Sequence, residues 1–309
     1  MIVYRSLAEV PSPPPPRALA IGNFDGLHLG HRRIIATLKR ESSNRNLPAC
    51  ILTFSPHPEK VFGPARLCML QTLDQRLEGL CRLGVEEAIV PPFSRTFARL
   101  PGEAFAGAIL AETLGARLVV VGRDFRFGRD RACGVAELRN LGRACGFAVR
   151  AVSPVRHGSR VIGSSWIRDL LEHGRVEAAR PLLGRPYSIE GDVVRGRGRG
   201  RRLGFPTINI MAPNELLPRG VFVTLLLAGE RSYPSVASVG TRPTFGRPSL
   251  AVEAHFMDFE GDLYGDAVTL SFLAKLRDGK RFRNAAALQG QIARDAAAAR
   301  AYFRKARHL

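Results

Sequence analysis

Between residues 18 and 184 the apolar positions fall into short continuous runs, separated by longer stretches in which an apolar residue returns every third or fourth place. The runs Ala18–Gly22, Ala49–Phe54, Ala88–Pro91, Leu118–Gly122 and Phe147–Val152 predict strands. The stretches His31–Glu41, Leu73–Leu83, Ala98–Leu114 and Val135–Ala144 predict helices. That alternation implies an open parallel sheet covered by helices, whose ligands bind beyond the carboxyl ends of the strands. The loops after Gly22, Phe54 and Gly122 are therefore expected to lie together. After about Gly184 the texture changes to short runs set apart by turn residues: Tyr187–Val194, Val221–Ala228, Tyr233–Val239, Ala251–Phe256 and Ala267–Leu273. This predicts an antiparallel barrel or sandwich. An alanine-rich helix, Asn284 to Arg304, follows, with Leu288, Ile292 and Phe303 available for packing. The expectation is an α/β domain over 1–184 and an all-β domain with a terminal helix over 185–309.

Composition narrows the class. The 309 residues exceed what one core usually needs, and 45% apolar with 24% charged content excludes a disordered or collagen-like chain. No run approaches the roughly 18 apolar residues of a membrane helix, and Met1 to Pro16 lacks the pattern of a signal peptide, so a cytoplasmic protein is expected. The five cysteines, Cys50, Cys68, Cys81, Cys133 and Cys145, form no Cys-x-x-Cys pair and read as reduced core residues. The net charge of +19 divides evenly, +10 over 1–184 and +9 over 185–309. Only five of the 46 basic residues are lysine, which fits a coding preference, so the charge by itself names no partner.

Gly22-Asn-Phe-Asp-Gly-Leu-His-Leu-Gly-His31 follows a predicted strand and opens a predicted helix. Its glycines let backbone approach a ligand, and a helix N-terminus offers N–H groups to phosphate. His28 and His31 share a face once helical and could donate to one triphosphate. By themselves the residues fit a helix cap with a structural histidine equally well.

The segment resembles the signature of nucleotidylyltransferases and, more narrowly, the N-terminal motif of bacterial bifunctional riboflavin kinase/FMN adenylyltransferases. Thr53-Phe-Ser-Pro-His-Pro58, Val121-Gly-Arg-Asp-Phe-Arg-Phe-Gly128 and Ile162-Gly-Ser-Ser-Trp-Ile-Arg168 match that family in order and spacing. The resemblance implies that Gly22, Asn23, Phe24, Asp25, His28, Gly30 and His31 hold ATP, with His28 and His31 on its phosphates, and that Ser164, Ser165 and Arg168 grip phosphates too. It implies flavin contacts for His57, Pro58, Asp124 and Phe125. Outside such blocks Arg168 would read as a surface helix arginine and His57 as a loop histidine. The last block departs from the family pattern: Gly163 replaces a serine, Ser165 a threonine, and Trp166 fills a variable slot.

A second block, residues 191–209, sets five arginines among glycines and ends in Leu203-Gly-Phe-Pro-Thr-Ile-Asn209. An Arg-Gly nucleic-acid tail would continue as low-complexity repeat, whereas this one leads into apolar, strand-like sequence. No Gly-x-x-x-x-Gly-Lys-Ser/Thr loop occurs, so a kinase here must hold phosphate differently. The block resembles the riboflavin kinase signature, with Ile208 where alanine is usual. The resemblance implies ATP contacts for Gly196, Gly200, Arg201, Gly204, Phe205 and Pro206, and Mg²⁺ ligation by Thr207 and Asn209, whose oxygens suit a hard cation. Pro218–Phe222, Gly240–Gly246, Val252–His255 and Asp262–Gly265 also fall where the family has them, which puts Glu253 at the catalytic carboxylate. A positioned glutamate can take the proton of a ribityl hydroxyl as it attacks the γ-phosphorus of ATP. Read alone, Glu253 would be a solvated strand residue. His255 faces the same side and stays unassigned.

The resemblance thus implies a bifunctional enzyme: riboflavin to FMN in a C-terminal antiparallel β-barrel kinase domain, FMN to FAD with release of pyrophosphate in an N-terminal nucleotidylyltransferase-type open parallel α/β domain. The implied partners are ATP, riboflavin and FMN, with Mg²⁺, no membrane and no specific nucleic acid; a homo-oligomer is compatible with either domain. Two rivals are a kinase with an inactive adenylyltransferase domain, motivated by the altered Ile162–Arg168 block, and a basic nucleic-acid-binding protein, which would show steeply salt-dependent binding.

Overall fold

The computed structural model describes residues 1–62, 67–195, 207–244, 247–257 and 263–306. The chain divides into two compact units, Met1–Cys68 with Leu73–Gly163, and Met69–Thr72 with Ser164–Leu309.

In the first unit six parallel strands, β1 (Ile2–Tyr4), β2 (Arg17–Ile21), β3 (Ala49–Leu52), β4 (Glu87–Ile89), β5 (Ala116–Gly122) and β6 (Ala148–Val152), pair in the order β1-β4-β3-β2-β5-β6. Strands covered on both faces must be apolar throughout, and every residue of β2 and β3 is buried. Ala18, Ala20, Ile51 and Val120 pack against Ile35 and Leu38 of α1 (Leu29–Ser43) and Leu77 and Leu80 of α3 (Leu73–Arg82). The alternate residues Leu19, Ile21, Leu52 and Val119 meet Phe105, Leu110 and Leu138 on the other face. The strand order reverses between β2 and β5, which opens the crevice where such sheets bind ligands. The loops after β2, β3 and β5 leave three neighbouring strands on that edge.

Three sequence expectations need correction. The helix expected over 98–114 is broken: α4 (Arg95–Ala98) ends before Pro101, and α5 (Gly102–Ala104) continues as a π-helical stretch, Phe105–Thr113. Proline removes an N–H donor and pushes the residue before it out of helical geometry. Strand β1, which carries no run of its own, pairs beside β4. Of the five free cysteines Cys50 alone is core; Cys81 is exposed and the others are half-buried. Burial, with Glu87 nearby, pushes the Cys50 thiol up, so it is unreactive. Among the described residues this unit also holds the short α2 (Pro58–Phe62), α6 (Val135–Cys145) and a small antiparallel pair, β7 (Arg156–His157) with β8 (Arg160–Val161).

In the second unit α7 (Ser164–Glu172) and α8 (Val176–Leu183) precede a closed antiparallel barrel, β10-β13-β12-β11-β14-β9. Its strands are β9 (Tyr187–Val194), β10 (Thr207–Met211), β11 (Gly220–Ala228), β12 (Arg231–Thr244), β13 (Arg247–Phe256) and β14 (Ala267–Arg277). Closure leaves no free edge and selects the barrel over the sandwich. Strand β10 and helices α7 and α8 were not among the expected elements. The barrel interior holds Phe222 edge-on to Phe272, with Tyr187 stacked on Phe272, and a Thr224–Ser235 hydroxyl pair at 2.8 Å. Gly191 allows a tight crossing: a Cβ there would lie 2.3 Å from the Met211 carbonyl oxygen. Outside, Ala299, Tyr302 and Phe303 of α9 (Ala285–Ala306) pack on Val221, Val223 and Val236. Arg277 of β14 grips Asp295 of α9 through Nε and Nη2 at 2.8–3.1 Å.

Candidate active sites

The loop leaving β2 is wound tightly. Phe24 (φ 52°), Gly26 (φ 86°) and Leu27 (φ 44°) all take left-handed backbone. For Phe24 and Leu27 that costs of order 1 kcal/mol each, offset by burying both side chains almost completely. The winding delivers His28 to the N-cap of α1, where its Nδ1 accepts the amide N–H of His31 at 3.3 Å. His28 therefore lies just outside the helix, yet its ring stacks on that of His31 with centroids 3.7 Å apart. A Cβ at Gly30 would come within 2.9 Å of the His28 ring, so the glycine makes room for the stack.

His28 is buried, and on His31 the Nδ1 finds no hydrogen-bond partner among the described residues. Burial, together with the charges of His28 and Arg76, holds the His31 imidazole well below its ordinary range, so it is neutral near pH 7. Neutral His31, stacked on His28 at a helix N-terminus, offers an N–H donor beside the positive end of the helix dipole.

From β3, Thr53 donates its hydroxyl to the Asn23 carbonyl at 3.2 Å. His57 is buried, and its Nδ1 accepts the Glu59 amide N–H at 3.1 Å, so Pro58 opens α2 beneath a fixed imidazole. From β5, Asp124 is exposed and Phe125 stacks on Phe127 with centroids 5.7 Å apart. The structure thus gathers Gly22, Asn23, Phe24, Asp25, His28, Gly30, His31, His57, Pro58, Asp124 and Phe125 on loops of adjacent strands. Ser164 and Ser165 open α7 in the second unit, and Arg168 is buried one turn further on. At Gly163 a Cβ would meet nothing within 4 Å among the described residues, so the serine usual there would be accommodated.

Arg76 was missed by sequence reasoning. It occupies α3 at 3% exposure and donates Nη1 to the Asn23 carbonyl at 2.7 Å and Nη2 to the Phe54 carbonyl at 3.3 Å. Its spacing held a signal: Leu73, Arg76, Leu77 and Leu80 fall at i, i+3, i+4 and i+7, which sets the arginine in an apolar stripe.

The second constellation lies on the barrel's outer face. In the antiparallel β10–β13 pair Asn209 is directly opposite Glu253, and Thr207 opposite His255. Their neighbours Ile208, Ile210, Val252 and Ala254 point into the barrel, so all four polar side chains share the outward face, half-buried. Directly opposed residues hold their Cβ atoms about 5 Å apart. On Asn209 the Oδ1 is buried and accepts no hydrogen bond among the described residues. Gly196, Gly200, Arg201, Gly204, Phe205 and Pro206 lie outside the described residues.

A sequence model described as FAD synthetase matches residues 11–166, and one described as riboflavin kinase matches residues 183–303. Curated proteins named bifunctional riboflavin kinase/FMN adenylyltransferase align along almost the whole chain. That of Escherichia coli K12 is 37% identical, covering 92% of each chain. That of Bacillus subtilis is 32% identical, again covering 92% of each. The chain belongs to the bifunctional riboflavin kinase/FMN adenylyltransferase family. A crystal structure from Streptococcus pneumoniae, named as a macrolide-efflux protein, shares the fold at a TM-score of 0.87 and 29% identity, covering 97% of this chain and 98% of that one. Among the described residues of this family member no helix is long and apolar enough to cross a membrane. The two matched family models follow the order of the two constellations, α/β loops first and barrel face second.

Proposed function

We propose that the barrel face of β10 and β13 transfers the γ-phosphoryl group of ATP to riboflavin, and that the loops after β2, β3 and β5 join the product FMN to the adenylyl group of a second ATP. In the first reaction Glu253 takes the proton of the terminal ribityl hydroxyl as its oxygen attacks the γ-phosphorus, and ADP leaves. In the second an FMN phosphate oxygen attacks the α-phosphorus and pyrophosphate leaves; the nucleophile is already an anion and needs no base. His28 and His31 direct N–H donors at phosphate oxygens, where charge gathers as pyrophosphate departs. On this reading Ser164, Ser165 and Arg168 are assigned to phosphate, and His57, Pro58, Asp124 and Phe125 to the flavin. The functional boundary on this reading lies at 184/185, and an enzyme fed by ATP works in the cytoplasm.

The observation that carries the kinase assignment is the pairing of Asn209 with Glu253, in which Oδ1 of Asn209 is left without a partner among the described residues. That oxygen and the Thr207 hydroxyl suit Mg²⁺, which keeps several waters and takes few protein ligands when phosphates supply the rest. When bound, the cation neutralises charge on the ATP phosphates. Riboflavin with Mg-ATP, followed by separation of the flavins, tests the whole reading. FAD supports it, and absence of both products overturns it. FMN alone would favour the second reading, a kinase whose adenylyltransferase half is weakened by the departures at Gly163, Ser165 and Trp166.

A further inference from the structure

Arg76 is a costly residue to bury. A guanidinium at 3% exposure loses most of its hydration, and an aliphatic side chain would serve packing in the α3 stripe better. It is held instead by two carbonyls from different strands. Asn23 is the second residue past β2 and Phe54 the second past β3, and these are the strands whose loops bear His28 with His31 and His57. The Asn23 carbonyl also accepts the Thr53 hydroxyl, so the first loop is fastened at the peptide just before its left-handed turn. On Arg76 the Nε donor has no hydrogen-bond partner among the described residues.

We propose that Arg76 is a positioning residue for adenylyl transfer: its guanidinium fork holds the His28–His31 loop against the His57 loop, and its fixed charge forms part of the positive field that receives the triphosphate. The inference rests on the assignment of the α/β unit to FAD formation. A fork reaching two carbonyls fixes both a distance and an angle between the loops, which a point-like ammonium cannot. Misplacement of a phosphate-binding group by about 1 Å can cost ~100-fold in rate. The charged environment is consistent with this role. His28 and Arg76 both bear on His31; burial draws the Arg76 guanidinium below its ordinary range, and the nearby carboxylate of buried Asp25 opposes that.

The test uses the full-length chain with Arg76→Met and Arg76→Lys. Rates and KM are measured for FMN to FAD, with riboflavin phosphorylation in the same chain as the control for integrity. The His31 ring is followed by NMR in histidine-labelled protein, its signal identified with His31→Gln. Arg76→Met is expected to lower kcat for FAD formation about 10- to 100-fold and to raise KM for ATP several-fold, with FMN production unchanged and the His31 titration moved upward. Arg76→Lys is expected to keep the His31 titration near wild type, since the charge survives, yet to recover kcat only in part. Wild-type kcat, KM and His31 titration in Arg76→Met would overturn the proposal. Should Arg76→Met fail to fold, Arg76→Lys decides: reduced kcat with an unmoved His31 supports positioning, and wild-type kinetics refute it. If the wild-type chain makes no FAD, or His31→Ala makes it normally, the site assignment fails instead.

Discussion

His31 shows how one position couples burial to chemistry. Its imidazole is held below the ordinary value of 6.5 by burial first, then by His28 and Arg76. The unfolded chain therefore binds a proton near pH 6.5 that the folded chain refuses, and stability is lost as pH falls below that value. The slope cannot exceed one proton, about 1.4 kcal/mol per pH unit. Melting of the wild type between pH 7.5 and 5 should show a decline on acidification that His31→Gln diminishes; equal slopes would show that His31 is not the group responsible. Gly30→Ala drives a methyl into the His28 ring and should lower FAD formation about tenfold or more with FMN formation intact, read from parallel assays of the two reactions. Glu253→Gln keeps the shape of the barrel face but removes the carboxylate proposed to accept the proton. FMN formation should fall about 100- to 10,000-fold, while supplied FMN is still converted to FAD. Equal loss of both activities would place Glu253 in the fold and not in the chemistry.

Among the elements, the strand Thr207-Ile-Asn-Ile-Met211 joins fold and site most directly. It alternates polar and apolar with period two, so that Ile208 and Ile210 fill the barrel while Thr207 and Asn209 face outward beside β13. A slip of one residue would turn both oxygens into the core, and barrel closure forbids it. The α9 helix is held by contacts of another kind, an apolar stripe plus the Arg277–Asp295 fork, with Gln291 adding a 2.8 Å bond to Asp295. Asp295→Ala should weaken the barrel unit by about 2 kcal/mol, because a charged hydrogen-bond partner is lost from a half-buried arginine. The temperature at which kinase activity disappears should drop by several degrees.

At the scale of the molecule, the two reactions share one intermediate, FMN, which is a soluble anion. Each candidate site is assembled around its own strands, β2, β3 and β5 in one case and β10 and β13 in the other. A mixture of Glu253→Gln and His31→Ala chains, each inactive in one half-reaction, should therefore make FAD from riboflavin, detected by chromatography. Absence of FAD from the mixture, with each partner active in its remaining half-reaction, would mean that FMN is passed on within a single chain. The charge of +19 enters only at this scale, as a long-range attraction for anionic nucleotides that weakens with salt.

The proposed phosphate and flavin contacts came from the resemblance of the motifs, while local pattern and composition determined the alternation of strand and helix, the change of texture at about residue 184 and the loops that cluster beyond β2, β3 and β5. These are legible because periodicity and turn chemistry act over a few neighbouring residues. Tertiary structure alone decided that the His28 and His31 rings stack, that Asn209 stands opposite Glu253, and that Arg76 ties Asn23 to Phe54. The stack depends on a left-handed loop stabilised by distant packing. The opposition depends on a register set by closing six strands. The tie joins residues tens of positions apart, across strands whose order in the sheet differs from their order in the chain.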